Sequence, residues 1–297
     1  MPVHELAALG AAACWAATGI IAREPAGALG ALSFNRWRQV FAAGMLAAWV
    51  AATGGWRELG AGALPPLLAS GLLGIFVGDS LLFITLNRLG PRRAGILFAL
   101  NAPLAALLGW LALGETLPPQ SVAGIALTVA GVALAIAYGR RPGQGSAWEA
   151  VRGRLWMGVL TGLGAASGQA LGSLTARPVM AAGVDPFAAS LVRVGVAALC
   201  ITLLLRFLPA DVRPRAPLTR RTAALTALAA FLGLGVGMTL LLYALAGGKV
   251  GIVSTLSATS PVLILPMLWA ITGERPAPGA WAGAALVVAG MALLFLH

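Results

Sequence analysis

The sequence predicts an all-α integral membrane protein, with ten transmembrane helices arranged as two inverted five-helix repeats around a central cavity. Three observations lead there. Hydrophobic residues make up 59% of the 297-residue chain and charged residues 10%, with a mean hydropathy of +0.90. A soluble domain carries about a quarter charged residues, so lipid must solvate most of these side chains. Ten apolar segments follow, each near the roughly 20 residues that cross a bilayer. Finally, the chain repeats itself. Gly78–Glu115 returns as Gly237–Glu274, and the pairs Gly78/Gly237, Gly114/Gly273, Glu115/Glu274, Gly124/Gly283 and Gly131/Gly290 are all 159 residues apart.

The segments run 5–22, 32–53, 65–87, 93–113 and 119–138, then 155–176, 186–207, 223–246, 250–272 and 279–296. Residues 1–138 form the first repeat, 139–153 a connecting loop, and 154–297 the second repeat. The opening residues MPVHE contain no Lys or Arg, and no cleavage site follows, so the first segment is read as a retained helix rather than a signal peptide. In the third segment, Gly74-xxx-Gly78 recurs as Gly233-xxx-Gly237. Gly158-xxx-Gly162, Gly164-xxx-Gly168, Gly168-xxx-Gly172 and Gly279-xxx-Gly283 are further small-residue pairs that let helix backbones approach closely. A basic turn, Asn87–Arg93, separates the third and fourth segments. The fourth segment of each half contains an interior proline, Pro103 or Pro261, and ends at a Gly-Glu pair. Five segments per half is an odd number, so the second copy enters the membrane from the opposite side. In that layout a substrate site forms near the midplane between the halves.

The net charge of +11 does not point to nucleic acid. Nineteen of the 20 basic residues are Arg, and most sit in short turns between apolar runs. They read as topology signals. The loops after the odd-numbered segments, with the adjoining helix ends, hold 16 of the 20, the opposite side holds only Arg57, Arg177 and Lys249, and Arg193 lies within a segment, which places the odd-numbered loops in the cytoplasm and both termini outside. Cys14 and Cys200 lie inside apolar runs and imply no disulfide. His4 and His297 sit at the chain ends, so no metal site is expected, and no cofactor. There is no Walker A pattern, no Gly-x-Ser-x-Gly and no His-Glu-x-x-His, which argues against ATP-driven work and against an enzyme.

The turn Leu86-Asn87-Arg88-Leu89-Gly90, the Pro103 helix, the stop Gly114-Glu115-Thr116-Leu117 and the Gly124-xxxxxx-Gly131 helix resemble one EamA-type repeat. The second half shows it again through Pro261, Gly273-Glu274-Arg275 and Gly283-xxxxxx-Gly290. Arg38 and Arg193, each early in the second helix of its half, resemble the Arg commonly found there. The whole chain thus resembles the ten-helix exporters of the drug/metabolite transporter superfamily. That resemblance implies a transporter whose cavity is lined by the first, third and fourth helices of each half, and amino acids as the first cargo to test, aromatic ones foremost. It also implies cytoplasmic termini, the reverse of the charge count.

Asp79 is the only carboxylate deep inside an apolar segment, which makes it a functional candidate. It could carry a coupling proton, or pair with an Arg or cap a broken helix. Its repeat partner is Met238. Arg38 and Arg193 could each hold a substrate carboxylate or brace a helix, Arg38 more readily the latter because it lies nearer its segment end. Polar residues cluster at the two proline positions: Asn101 in the first half, and Ser254, Ser257, Thr259 and Ser260 in the second. Matching broken helices point to a transporter site. Hydroxyls that bond back to their own helix explain single residues but not the clustering. Trp15 and Thr18 of the first helix are matched by Ser167, Gln169 and Ser173. Gln169 could instead bond between helices. Phe83, Phe98 and Tyr243 could line an aromatic wall or face lipid. Trp49, Trp56, Trp148 and Trp156 read as interfacial anchors.

The function expected is secondary transport: export of small organic metabolites, amino acids first, by alternating access. A passive facilitator or a multidrug exporter is the alternative. The partners expected are a small-molecule substrate, the lipid bilayer and protons, with a monomer sufficient. The expected location is the bacterial inner (plasma) membrane.

Overall fold

The computed structural model describes residues 3–138, 154–207, 217–272 and 277–295. The connecting loop at 139–153 and the second Gly-Glu stop lie outside the described residues. Every regular element described is helical. In the first half these are α1 (Val3–Ile21), the short α2 (Arg23–Leu29), α3 (Ala31–Thr53), α4 (Leu64–Ser70), a π-helical segment π1 (Gly71–Asp79), α5 (Ser80–Ala99), α6 (Asn101–Leu113) and α7 (Pro119–Ala137). In the second half they are α8 (Leu155–Ala181), α9 (Pro186–Phe207), α10 (Arg220–Ala230), π2 (Phe231–Gly237), α11 (Met238–Gly247), α12 (Val250–Ser257), α13 (Ser260–Thr272) and α14 (Pro278–Phe295).

Local chemistry sets the boundaries. α3 and α6 end on Gly54 and Gly114, whose φ values of 76° and 65° suit a residue without a Cβ. Before α9, Asp185 accepts the Ala188 backbone N–H at 2.7 Å, and Pro186 follows where a missing N–H costs nothing. α10 opens with a capping box made by Thr219 and Thr222. Among the described residues, six helical stretches are long and apolar enough to cross a membrane, and α7 and α14 are shorter apolar helices. α3 and α8 carry more polar side chains.

The basic turn differs from expectation. Helical turns follow one another through α5 with no non-helical linker at the residues read as a break, so two helical arms meet directly at the turn. The chain nevertheless doubles back there. The position of a Cβ on Gly158 falls beside Leu89, on Gly162 beside Leu97, and on Gly164 beside Leu81, so Leu81 and Leu97 stand at similar heights along α8.

Packing follows the repeat. Each second, fourth and fifth helix meets its counterpart: α3 packs on α9, α6 on α12, and α7 on α14. The first helix of each half crosses the third helix of the other, α1 against π2 and α11, and α8 against π1 and α5. Glycines make the close crossings. A Cβ on Gly74 would lie 3.2 Å from the Gly172 Cα, and one on Gly168 would lie 3.1 Å from the Gly78 Cα, so the two Gly-xxx-Gly pairs meet each other. Gly124 approaches Gly290 and Gly131 approaches Gly283 in the α7–α14 pair. The outer faces carry large exposed apolar residues, among them Leu111, Phe207 and Val288, where lipid is the solvent. Trp49, Trp56 and Trp156 are also exposed, as interfacial anchors are. Trp148 lies outside the described residues.

Candidate functional site

Both third helices change from α to π geometry at matching places, and the charged interior residues gather beside these segments. A π stretch is rare and marks a locally strained, often functional, part of a helix. Asp79 is the last residue of π1. Arg38 of α3 donates from Nη2 to Asp79 Oδ2 at 2.6 Å and to Asn35 Oδ1, one turn back, at 3.0 Å. Its guanidinium lies 5.5 Å from the Phe83 ring centroid, and Phe34 meets that ring edge-on at 6.2 Å. The attraction between a cation and an aromatic face adds to the ion pair. Charge, hydrogen bond and ring thus neutralise one buried guanidinium.

Arg193 of α9 is 0% exposed. Its Nη1 points at the Met238 thioether, Nη1 to Sδ 3.2 Å, and thioether sulfur is a weak acceptor. Its Nε and Nη2 have no hydrogen-bond partner among the described residues. On the other side is π1, where a Cβ on Gly74 would come 3.3 Å from Nη2. Arg193 is therefore held between Gly74 of π1 and Met238, the residue that follows π2. Ser190, one turn before it, is 3.1 Å from Thr239 through their hydroxyls, and Thr239 bonds back to the Gly235 carbonyl at 2.6 Å.

The first helices approach these same segments. Trp15 donates from Nε1 to the Gly233 carbonyl of π2 at 2.9 Å, and Thr18 packs against the same glycine. On the other side, Gln169 and Ser173 are buried in α8 alongside π1. The Thr18 and Ser173 hydroxyls have no partner among the described residues.

The fourth helices are broken where the prolines suggested. α6 restarts after Leu100, and α13 restarts after Ala258 and Thr259. Asn101 is buried and donates from Nδ2 to the Phe98 carbonyl at 2.6 Å. Ser257, Thr259 and Ser260 each donate to a carbonyl three residues back, at 3.1, 2.7 and 3.2 Å. Ser254 is buried, and its carbonyl receives the Ser257 hydroxyl. These side chains therefore bond back to carbonyls beside the breaks. Phe98 is half-buried. Tyr243 stands apart from the cluster, 40% exposed, with its ring tilted against His4 at a centroid distance of 5.1 Å. A cavity of about 440 Å³ opens between α6 and α7, lined by Pro103, Ala106, Leu117, Ile125 and other apolar residues, and none of the polar, charged or aromatic candidate residues borders it.

Several participants were not visible from sequence. Asn35, and Gln39 with both amide atoms unpartnered among the described residues, share α3 with Arg38. Their spacing of three and one residues was the available signal. Glu115 was read only as a helix stop. Its Oε2 accepts the Val250 N–H at 2.8 Å, capping α12, and its Oε1 lies 3.5 Å from Arg177 Nε. Lys249 Nζ adds a bond to the Thr116 carbonyl at 2.6 Å. These contacts tie the halves together at one end. At the other end Arg221 and Glu24 form an exposed bidentate pair at 2.6 and 2.9 Å.

A comparison with curated proteins found no match. Among solved structures, 29 chains are similar. One, a crystal structure of a protein, superposes with a TM-score of 0.80 at 19% identity, over 99% of this chain and 96% of that one. At that identity the likeness concerns the fold alone. A family model, the EamA-like transporter family, matches residues 3–137 and again 156–296. Together the two matches cover nearly the whole sequence, one on each half, and this membrane protein belongs to the EamA-like transporter family.

Proposed function

We propose that the chain is a secondary transporter that exports small organic metabolites, amino acids first, across the bacterial inner membrane by alternating access. The observation that carries this reading is the matched interruption of both halves. π1 and π2 in the third helices flank Asp79, Arg38 and Arg193, and the fourth helix of each half is broken at its proline position. Discontinuous helices and buried ionisable residues in corresponding positions are what an inverted-repeat transporter uses to bind cargo. In this reading Trp15, Thr18, Phe83, Phe98, Asn101, Gln169, Ser173, Ser254 and Ser257 border the cargo, and Tyr243 meets it near one mouth. Asp79 carries the coupling proton. One chain contains both halves, so a monomer suffices.

The test is metabolite release from overexpressing cells, followed by counter-flow of each released compound in proteoliposomes. Saturable counter-flow supports the reading. Flux without saturation or counter-exchange would instead identify a facilitator, and export confined to lipophilic cations a multidrug exporter. Orientation follows the Arg distribution in this reading: a C-terminal reporter active only in the cytoplasm stays silent, and an active one reverses the assignment.

A further inference from the structure

Arg193 is a full positive charge in the bundle interior without a carboxylate of its own. Asp79 is the interior carboxylate among the described residues, and it is bonded to Arg38. Arg38, Arg193 and Asp79 together leave one excess positive charge. A buried charge is costly unless paired, so the imbalance has to be met in some part of the working cycle.

The free donors have a definite shape. Nη1 is occupied by the Met238 sulfur, and the unpartnered atoms are Nε and Nη2. These two carry the parallel N–H bonds on the side edge of a guanidinium, the fork that matches the two oxygens of a carboxylate. A phosphate group would bring a larger charge and three oxygens to two donors, so the charge count and the donor count both favour the carboxylate. Gly74 contributes by having no side chain. Any Cβ there would crowd Nη2 at 3.3 Å.

We propose that the Nε/Nη2 edge of Arg193 is the docking fork for a carboxylate on the transported molecule. The proposal rests on the transporter reading above and narrows it, since carboxylate-bearing metabolites fit and lipophilic cations do not. Arg193 is closed off in this conformation, so the cargo reaches it only when the halves part.

The experiment measures thermal stability of the purified full-length chain with acid/amide pairs at matched ionic strength: benzoate and benzamide, L-phenylalanine and its amide, and aliphatic equivalents. At least one acid is expected to raise the Tm where its amide does not. Arg193→Met should abolish that selectivity and raise the Tm of the ligand-free protein, because it removes a buried unpaired charge. Arg193→Lys, a point charge in place of a fork, should weaken acid binding by about tenfold or more. A merely structural arginine predicts the reverse for Arg193→Met, a lower Tm. The proposal is overturned if no acid exceeds its amide in the wild-type protein, a result independent of how any variant folds, or if Arg193→Met retains the selectivity. Proteoliposome counter-flow separates the two claims. Acid-selective binding without counter-flow of any compound sinks the transporter reading and leaves the fork, whereas counter-flow restricted to amides or cations sinks the fork and leaves transport.

Discussion

Arg193 stands to Met238 as Arg38 stands to Asp79. In each half an arginine of the second helix reaches the same register of the third helix, but one finds a carboxylate at 2.6 Å and the other a thioether at 3.2 Å. The backbone repeat is preserved while its electrostatics are not: the first half contains the paired carboxylate and the second a thioether.

The Arg38–Asp79 pair is expected to be strongly coupled. Removing one partner of a buried ion pair leaves an uncompensated charge and costs about 3–5 kcal/mol, whereas replacing both by apolar residues is often close to neutral. Arg38→Met and Asp79→Leu should each lower thermal stability in detergent markedly, and the double variant should recover most of the loss. Additive losses in that cycle would mean that the two side chains do not act as a pair.

Asp79→Asn tests coupling separately from binding. The amide keeps an acceptor for Arg38 but cannot exchange a proton at accessible pH. A proton-coupled carrier should lose transport driven by a pH gradient and keep substrate exchange without one. Unaltered pH-driven transport in reconstituted vesicles would remove Asp79 from the coupling role.

Glu115 closes one end of the bundle through the helix cap on Val250 and the ion pair with Arg177. Glu115→Ala removes both. Loss of a helix cap costs roughly 1 kcal/mol, and a partly exposed pair contributes less than that. The expected outcome is a modest drop in Tm with faster alkylation of a cysteine placed at Ser173, in a background lacking Cys14 and Cys200. Unchanged alkylation would show that this end opens independently of Glu115.

The α7–α14 pair should resist any added side chain. A Cβ on Gly131 would meet the Gly283 carbonyl and the Val287 nitrogen at 2.7 Å each, so Gly131→Val has to force the helices apart. Overpacking of this kind costs about 1–3 kcal/mol. Gly44 is a control within α3, with nothing within 4 Å of its Cβ position. Gly44→Ala should be neutral or stabilising by about 0.5–1 kcal/mol, because alanine favours a helix interior. Thermal denaturation of the two variants measures the contrast.

The architecture was largely legible because it rests on periodic signals. The 159-residue offset announced the duplication, and Pro103 and Pro261 announced the breaks in the fourth helices. The pairing of Asp79 with an arginine was one of two readings its burial allowed, and that contact is present. The π segments were not legible. Gly74 and Gly78 indicate close approach equally well in α and π backbone. The hydroxyls of Ser257, Thr259 and Ser260 clustered as a binding surface would, yet each bonds a carbonyl three residues back in the chain, which composition does not reveal. Tyr243 has no local feature that marks its face, and its neighbour His4 is far away in sequence. Nor does the stop at Glu115 name Val250, 135 residues later, as its partner.

The π segments also bear on how such a bundle can move. A π turn encloses one residue more than an α turn, and each residue corresponds to roughly 100° of rotation about the helix axis. Asp79 sits at the downstream edge of π1. If the surplus residue migrates by one position, the side chain at that edge swings through a large arc while the helix neither breaks nor lengthens much. Gly74 and Gly78 present no side chains that would catch on α8 during the change, and Gly71 none that would catch on α9. The third helix thus contains its own slack, and Asp79 can exchange one neighbour for another by a shift in hydrogen-bond register rather than by displacement of a whole helix.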